Sequence, residues 1–269
     1  MATEPLPNNT DPILRTEGLV KRFGEFTATD HVDLELERGE FRSLIGPNGA
    51  GKTTLFNLIS GALPVTDGEI YFAGRDDEEP TAITSLSPAE RVRRGIGRSF
   101  QISNIFGGLS VRENVRLAVQ SVNREEIGLL ESLFRPTDRY DEIAAETERI
   151  LERVGLESVA DVTANALAYG DRRRLEIGVV LATDPELVLL DEPTAGMSVD
   201  ETRETIELIQ NVLVDQTLLL IEHDIELVME LSDRISVLNH GELLAEGTPN
   251  QIASNQAVQD AYLGGTLDE

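Results

Sequence analysis

The feature that most constrains this chain is a glycine-rich segment between two regular elements. Residues 46–53 have the spacing G-x-x-x-x-G-K-[ST], directly after the apolar stretch Phe41 to Ile45 and directly before the helical pattern Thr54 to Ser60. In such a turn, successive backbone N–H groups converge on phosphate oxygens, and the start of the helix adds partial positive charge. The segment predicts a phosphate-binding loop, with a plain glycine-rich turn as the alternative. Its residues are Gly46, Pro47, Asn48, Gly49, Ala50, Gly51, Lys52, Thr53 and Thr54.

Two polar side chains at the end of this loop are suited to nucleotide chemistry. We expect Lys52 to reach the β- and γ-phosphates and the Thr53 hydroxyl to ligate Mg²⁺. Lys21 and Lys52 are the only lysines of the chain, and arginine carries the remaining positive charge. A lysine is therefore retained where phosphate chemistry requires one.

A pair of carboxylates follows a second apolar segment. Leu187 to Leu190 are four apolar residues in a row, as in a strand buried on both faces, and Asp191 and Glu192 come directly after them. The C-terminal edge of such strands is where α/β sheets place ligand chemistry. We expect Asp191 to hold the Mg²⁺ shell and Glu192 to orient or deprotonate an attacking water. The alternative is a strand that ends in a solvated acidic turn.

A third apolar strand, Thr217 to Ile221, ends in Glu222-His223-Asp224. The imidazole of His223 is suited to donate to a phosphate oxygen or to the attacking water, and to hold Glu192 in register. This position predicts a sensor of the γ-phosphate. An ordinary capped loop histidine is the alternative.

The order of these motifs resembles the nucleotide-binding subunits of ATP-binding-cassette (ABC) transporters, over about Leu14 to Gly264. The resemblance implies an α/β fold: a P-loop NTPase core with a mixed sheet, an antiparallel β flank and an inserted helical subdomain at about 103–183. It implies ATP and Mg²⁺ as cofactors. By resemblance, Phe23 stacks on adenine, Gln101 touches Mg²⁺ and water, and His223 is the switch histidine. Phe23 as a core residue and Gln101 as a plain polar loop residue are the alternatives.

The signature motif of the family, usually Leu-Ser-Gly-Gly-Gln, falls here on Leu167-Ala168-Tyr169-Gly170-Asp171. In the family it caps the ATP bound by a second subunit, so Tyr169, Gly170 and Asp171 are candidate nucleotide contacts. Ala168 lacks the usual hydroxyl, and backbone N–H groups at the helix start must replace that contact. Ser198 replaces an aspartate that couples the subunits in many relatives. A simply capped helix is the alternative for the signature.

Several further segments are similar to one branch of the family, the subunits that energise branched-chain amino-acid uptake. They include Tyr169-Gly170-Asp171, Ala195-Gly196-Met197 and Ala261-Tyr262-Leu263-Gly264. Urea or amide importers and a lipid-export ATPase share much of this pattern. A soluble ATP-dependent clamp without transport is a hypothesis from another class, and a simple phosphate-loop kinase leaves the signature and His223 without a purpose.

The composition points to a folded, strongly acidic protein. The net charge is −26 and the sequence pI is about 4.4, while 40% of the residues are hydrophobic. At about 1 M salt the Debye length shrinks to roughly 3 Å, so such a surface no longer repels itself, and the pattern suggests a halophile. An acidic face for a basic partner is the alternative. The charge argues against nucleic acid as a partner.

The chain has no apolar run of membrane-spanning length. We expect loose tails at residues 1–12 and 265–269 around a single domain at 13–264, located at the cytoplasmic face of the membrane. The resemblance implies as partners a second ATPase subunit, identical or paralogous, the permease subunits and, indirectly, an extracellular solute-binding protein. Apolar residues of the segment Ile102 to Val111, such as Phe106, either face the permease or are buried in the same domain.

Overall fold

The computed structural model describes residues 12–75, 77, 79–99, 105–122 and 138–264. The described strands are, in chain order, β1 Leu14–Phe23, β2 Phe26–Leu36, β3 Phe41–Ile45, β4 Asp67–Phe72, β5 Thr81–Ala82, β6 Ile96–Ser99, β7 Leu187–Asp191, β8 Thr217–Ile221, β9 Arg234–Asn239 and β10 Glu242–Gly247. The described helices are α1 Lys52–Ile59, α2 Pro88–Arg93, α3 Val111–Val122, α4 Asp138–Val154, α5 Tyr169–Leu181, α6 Val199–Val212, α7 Ile225–Leu231, α8 Pro249–Ala253 and α9 Gln256–Gly264. The chain divides into two compact units, one from Met1–Arg91 and Gln216–Glu269 and the other from Val92–Asp215.

An antiparallel hairpin begins the first unit. Strand β1 pairs with β2 along its length, from Leu14 opposite Leu36 to Phe23 opposite Phe26. On its other edge β1 pairs with β4, which in turn pairs with β5. The apolar pattern predicts these first two strands at 13–20 and 32–36, but both continue to the tip of the hairpin. Alternation marks only the half-buried part of a strand, whereas backbone hydrogen bonds continue past it.

The parallel strands of the first unit hold the predicted phosphate loop. Strand β3 pairs in parallel with β8 on one side and β9 on the other, and β10 is antiparallel to β9. Every residue of β8 is buried, as expected for a parallel strand covered on both faces. Helices α7, α8 and α9 contribute to a core with β3 and β9 that contains Ile45, Val228, Ile235, Val237, Ile252 and Val258.

A buried arginine fixes the far end of α1. The Arg91 guanidinium donates from Nη1 to the carbonyls of Leu58 (2.6 Å) and Ile59 (2.8 Å), and from Nη2 to the carbonyl of Thr84 (2.8 Å). A helix ends with carbonyls that have no partner inside the helix, and Arg91 supplies donors to them. Burial lowers the pKa of Arg91 to about 10, so the cation persists at neutral pH.

The second unit combines a parallel strand pair with helices. Strands β6 and β7 run side by side, from Ile96 opposite Leu187 to Ser99 opposite Leu190. Helices α3, α4 and α5 pack against one another. The prediction for α3 is confirmed over its whole length. Helix α4 begins five residues before the predicted start at 143, because its first turn is polar and lacks the apolar spacing used for the prediction.

Over the residues that the structure describes, every helix is too short or too polar to cross a bilayer. This agrees with the absence of a long apolar run in the sequence.

Candidate nucleotide site

The loop after β3 takes a backbone path that only glycine allows at two positions. Gly46 and Gly51 have φ angles of 150° and 104°. A Cβ on Gly46 would lie 2.1 Å from the carbonyl oxygen of Leu238, and one on Gly51 would lie 2.4 Å from that of Ala28. The loop is therefore packed directly against neighbouring strands, and side chains at these two positions are excluded.

Lys52 closes the loop from the first position of α1. Its ammonium donates to the carbonyls of Gly46 (2.6 Å) and Pro47 (3.1 Å), and only 6% of the residue is exposed. The residue before the helix, Gly51, provides no side-chain cap. The first N–H groups of α1 have no partner inside the helix, so this end of α1 favours an anion. The loop, the lysine and the helix start thus form a cradle suited to phosphates.

The remaining loop residues follow this geometry. Asn48 and Gly49 are exposed at the turn, Ala50 is buried, and Thr53 and Thr54 occupy the first turn of α1. The hydroxyl of Thr53 is thus carried on the helix that begins at the cradle, and its role as a Mg²⁺ ligand stays a prediction.

Phe23 lies at the tip of the β1–β2 hairpin with 48% of its surface exposed. This exposure excludes the alternative of an ordinary core residue. A half-exposed aromatic ring on a regular strand is a suitable platform for a planar base. The stacking role remains a prediction.

His223 follows β8 directly, where the chain passes into α7. Its backbone N–H donates to the Glu222 carboxylate (3.1 Å), and Asp224 caps α7 by accepting from the N–H of Leu227 (3.1 Å). The buried strand and the capped helix thus fix the backbone on both sides of His223. His223 itself is exposed, and its role as a sensor of the γ-phosphate stays a prediction.

Asp191 and Glu192 belong to the second unit: Asp191 is the last residue of the buried strand β7, and Glu192 follows it. Only 8% of the Asp191 side chain is exposed, and its Oδ2 accepts from Nη2 of Arg98 at 3.0 Å. Glu192 has a φ of 48°, in the left-handed region. For a residue with a side chain this costs roughly 1–3 kcal/mol, and such strain concentrates at functional sites. The Asp191 carboxylate is therefore held by an ion pair, whereas Glu192 is distinguished by the left-handed conformation of its backbone.

Sequence reasoning missed the role of Arg98. The parallel register places Arg98 of β6 opposite Leu189, two residues before the aspartate. A buried ion pair across neighbouring strands requires knowledge of which strands pair. The available signal was a lone arginine in the short segment Ile96–Ser99, because a charged residue in a mostly buried strand needs a partner.

The predicted signature segment opens α5. The helix begins at Tyr169, and Ala168 at the preceding cap position provides no side-chain bond. Tyr169 is 56% exposed, and Asp171 lies in the first turn. Further along the helix, Arg173 donates to the carbonyl of Pro193, directly after Glu192. The signature helix is thus linked to the turn that carries the second carboxylate.

Ser198 has a structural role that the sequence analysis did not assign. Its hydroxyl and the Glu201 side chain form a reciprocal capping box at the start of α6. The Ser198 N–H and hydroxyl hold the pKa of Glu201 below its ordinary value. The spacing S-x-x-E before an apolar run is the available sequence signal.

Gln101 lies outside the described residues, as do positions 1–11 and 265–269 of the predicted tails. The role assigned to Gln101 therefore rests on the sequence resemblance.

A family model described as ABC transporter matches residues 29–195, which is more than half of the chain. The chain belongs to the ABC transporter family. A second model, described as branched-chain amino acid ATP-binding cassette transporter, matches residues 242–268. The high-affinity branched-chain amino acid transport ATP-binding protein LivG of Escherichia coli (strain K12) is 44% identical over 260 residues, which cover 95% of this chain and 99% of the relative.

Solved structures of this family have the same fold. A nucleotide-free ATP-binding cassette from an ABC transporter is similar with a TM-score of 0.76 and 33% identity, covering 93% of this chain and 98% of that one. A dimeric ATP-binding cassette in a post-hydrolysis state, bound to ADP and Pi, is similar with a TM-score of 0.68 and 27% identity, covering 88% of this chain and 98% of that one. The predicted fold class, an ABC ATPase with a mixed sheet and an antiparallel flank, is confirmed.

Proposed function

We propose that this chain is the ATP-binding and ATP-hydrolysing subunit of a membrane importer for branched-chain amino acids. The observation that carries the proposal is its 44% identity, over nearly the full length of both chains, to a branched-chain amino acid transport ATP-binding protein. The match of the C-terminal segment 242–268 to a branch-specific model supports the same substrate class. It favours this branch over urea or amide importers and lipid exporters.

In the first unit, we assign the phosphate groups of ATP to the loop 46–54 and the adenine to Phe23. Three features of this loop suit a polyphosphate: the positive φ angles of Gly46 and Gly51, the buried ammonium of Lys52 and the start of α1. Lys52 offsets the charge that develops on the phosphates, and His223 donates to a phosphate oxygen or to the attacking water.

In the second unit, we assign the carboxylates to separate tasks. Asp191 binds Arg98 through Oδ2, and its other oxygen is the one we assign to Mg²⁺. A carboxylate oxygen is a hard ligand of the kind that Mg²⁺ prefers, and the ion would supply charge neutralisation at the phosphates when bound. Glu192 takes the proton of the attacking water.

We propose that hydrolysis requires two subunits. The start of α5 has an exposed Tyr169 and Gly170 and no side-chain cap, so its N–H groups are suited to phosphates of a partner subunit. The similarity to a dimeric cassette bound to ADP and Pi supports this arrangement. The partner subunit is a second copy of this chain or a paralogue.

We place the protein at the cytoplasmic face of the membrane, bound to permease subunits that receive substrate from an extracellular solute-binding protein. Phe106 supports a docking surface in the second unit, because 61% of this large apolar side chain is exposed. This exposure argues against the alternative that Phe106 is buried in its own domain.

We further propose that the protein is adapted to molar salt. A net charge of −26 on 269 residues opposes compaction and dimerisation when it is unscreened. At high salt the repulsion is short-ranged, so folding and association proceed.

The direct test of transport is uptake of labelled leucine by source cells that lack the gene. We expect uptake to fall to background, to return with the wild-type gene and not to return with Glu192→Gln at equal protein level. Unchanged uptake in the deletion strain would assign the protein to another substrate. Restoration by Glu192→Gln would remove that residue from the catalytic role.

A further inference from the structure

Lys21 is a buried cation in contact with the ring of Phe23. Its Nζ lies 5.1 Å from the ring centroid, and only 8% of the residue is exposed. An ammonium is strongly hydrated, so its burial costs free energy unless new partners replace the water. The face of an aromatic ring is one such partner, because its quadrupole attracts a cation.

The second partner of this ammonium lies in the segment that follows α1. Nζ of Lys21 donates to the carbonyl of Pro64 at 2.7 Å. Next to this bond, the backbone N–H of Arg22 donates to Oγ1 of Thr66 (3.0 Å), and the N–H of Thr66 donates to the carbonyl of Val20 (2.9 Å). The tip of β1 is therefore fastened to the chain segment that leaves the helix of the phosphate loop.

Lys21 thus joins the ring of Phe23 to the segment that follows α1. The other end of this helix begins at the phosphate loop. All these residues belong to the first unit. A fixed ring loses less conformational freedom when a base stacks on it, which is how preorganisation increases affinity.

We propose that Lys21 is a positioning residue for the base of the nucleotide: its ammonium holds Phe23 as a fixed stacking platform in register with the phosphate loop. The proposal rests on the assignment of adenine to Phe23. It goes beyond that assignment because it predicts that a residue without contact to the nucleotide determines how strongly the base contributes to binding.

The test compares a ligand that has a base with one that has none. Binding of ATP and of inorganic tripolyphosphate is measured by calorimetry at molar salt with Mg²⁺. Lys21→Gln keeps a donor for the Pro64 carbonyl but removes the charge, and Lys21→Arg keeps the charge. Arg22→Gln is the matched control, because it removes one positive charge from the same strand at an exposed position.

We expect Lys21→Gln to weaken ATP binding by roughly tenfold, because the ring of Phe23 must then be ordered when the base stacks on it, and to change tripolyphosphate binding by less than about twofold. The affinity of Lys21→Arg is expected to stay within about threefold of the wild type for both ligands. Arg22→Gln is expected to leave the ratio of ATP affinity to tripolyphosphate affinity unchanged. An equal loss for both ligands in Lys21→Gln would overturn the proposal, since a general structural role does not distinguish them. Unchanged ATP binding in this variant would overturn it as well.

Phe23→Ala separates this proposal from the one on which it rests. If Phe23→Ala does not alter the ratio of ATP to tripolyphosphate affinity, the adenine assignment fails and the Lys21 proposal fails with it. If Phe23→Ala alters the ratio and Lys21→Gln does not, only the positioning role of Lys21 is wrong. If Lys21→Gln does not fold, Lys21→Arg provides the test. Weaker ATP binding with unchanged tripolyphosphate binding in Lys21→Arg would show that a positive charge at this position is not sufficient and would overturn the proposal. Wild-type affinity of Lys21→Arg for both ligands would support it.

Discussion

The ion pair between Arg98 and Asp191 allows a quantitative prediction. The atoms Nη2 and Oδ2 are 3.0 Å apart, and the two side chains are only 10% and 8% exposed. At an effective dielectric constant of about 20, Coulomb attraction at this separation amounts to roughly 5–6 kcal/mol, which offsets the cost of removing both charges from water. Arg98→Met leaves the carboxylate buried without its cation. We expect the free energy of unfolding to fall by about 3–5 kcal/mol.

The assay is chemical denaturation at molar salt, without nucleotide. Molar salt screens exposed charges strongly but a buried pair much less, so the effect persists under these conditions. Arg93→Met is the matched control, because Arg93 is exposed and close in sequence. We expect it to change stability by less than about 0.5 kcal/mol.

A double-mutant cycle with Asp191→Asn isolates the pair. We expect the combined variant to be less destabilised than the sum of the two single variants, by about 1–3 kcal/mol. Strictly additive effects would refute the reasoning, because they would show that the two side chains do not stabilise each other. If the free energy of unfolding of Arg98→Met falls by less than about 1 kcal/mol, the cost expected for burying the Asp191 carboxylate without its cation is wrong.

Three further predictions concern the loop, the permease and salt. Gly46→Ala places a Cβ 2.1 Å from the Leu238 carbonyl oxygen. We therefore expect calorimetry to detect no ATP binding, and the free energy of unfolding to fall by about 1–3 kcal/mol. Wild-type affinity would show that the loop tolerates a side chain. Phe106→Asp is expected to prevent copurification with the permease while ATP affinity stays unchanged, and an unchanged pull-down would reject this docking surface. Dialysis from molar to about 10 mM salt is expected to abolish ATP hydrolysis, because the Debye length then grows to roughly 30 Å; full activity there would contradict halophilic adaptation.

Sequence reasoning located the parts of the fold that short-range patterns encode. The phosphate loop, the buried strand before Asp191 and the strand before His223 each combine an apolar run with polar residues at its end, and the structure contains a strand at all three places. Helix α3 follows from apolar residues at helical spacing.

The contacts that tune the site could not be predicted, because they join residues far apart in the sequence. Arg98 forms an ion pair with Asp191 of the neighbouring strand. The ammonium of Lys21, for which the sequence indicates no partner, donates to the carbonyl of Pro64. The left-handed conformation of Glu192 likewise depends on the packing around it. The cap at Ser198 is different, since its S-x-x-E spacing was readable from the sequence alone.

We propose that this chain hydrolyses ATP as a dimeric motor of a membrane transporter. The most direct measurement is ATP hydrolysis at molar salt against protein concentration, for the wild type and Glu192→Gln, alone and with the membrane fraction of the source cell. We expect turnover that rises steeply with concentration, is stimulated by membranes and is abolished in Glu192→Gln. Turnover per chain that is independent of both concentration and membranes, or normal turnover in Glu192→Gln, would contradict it.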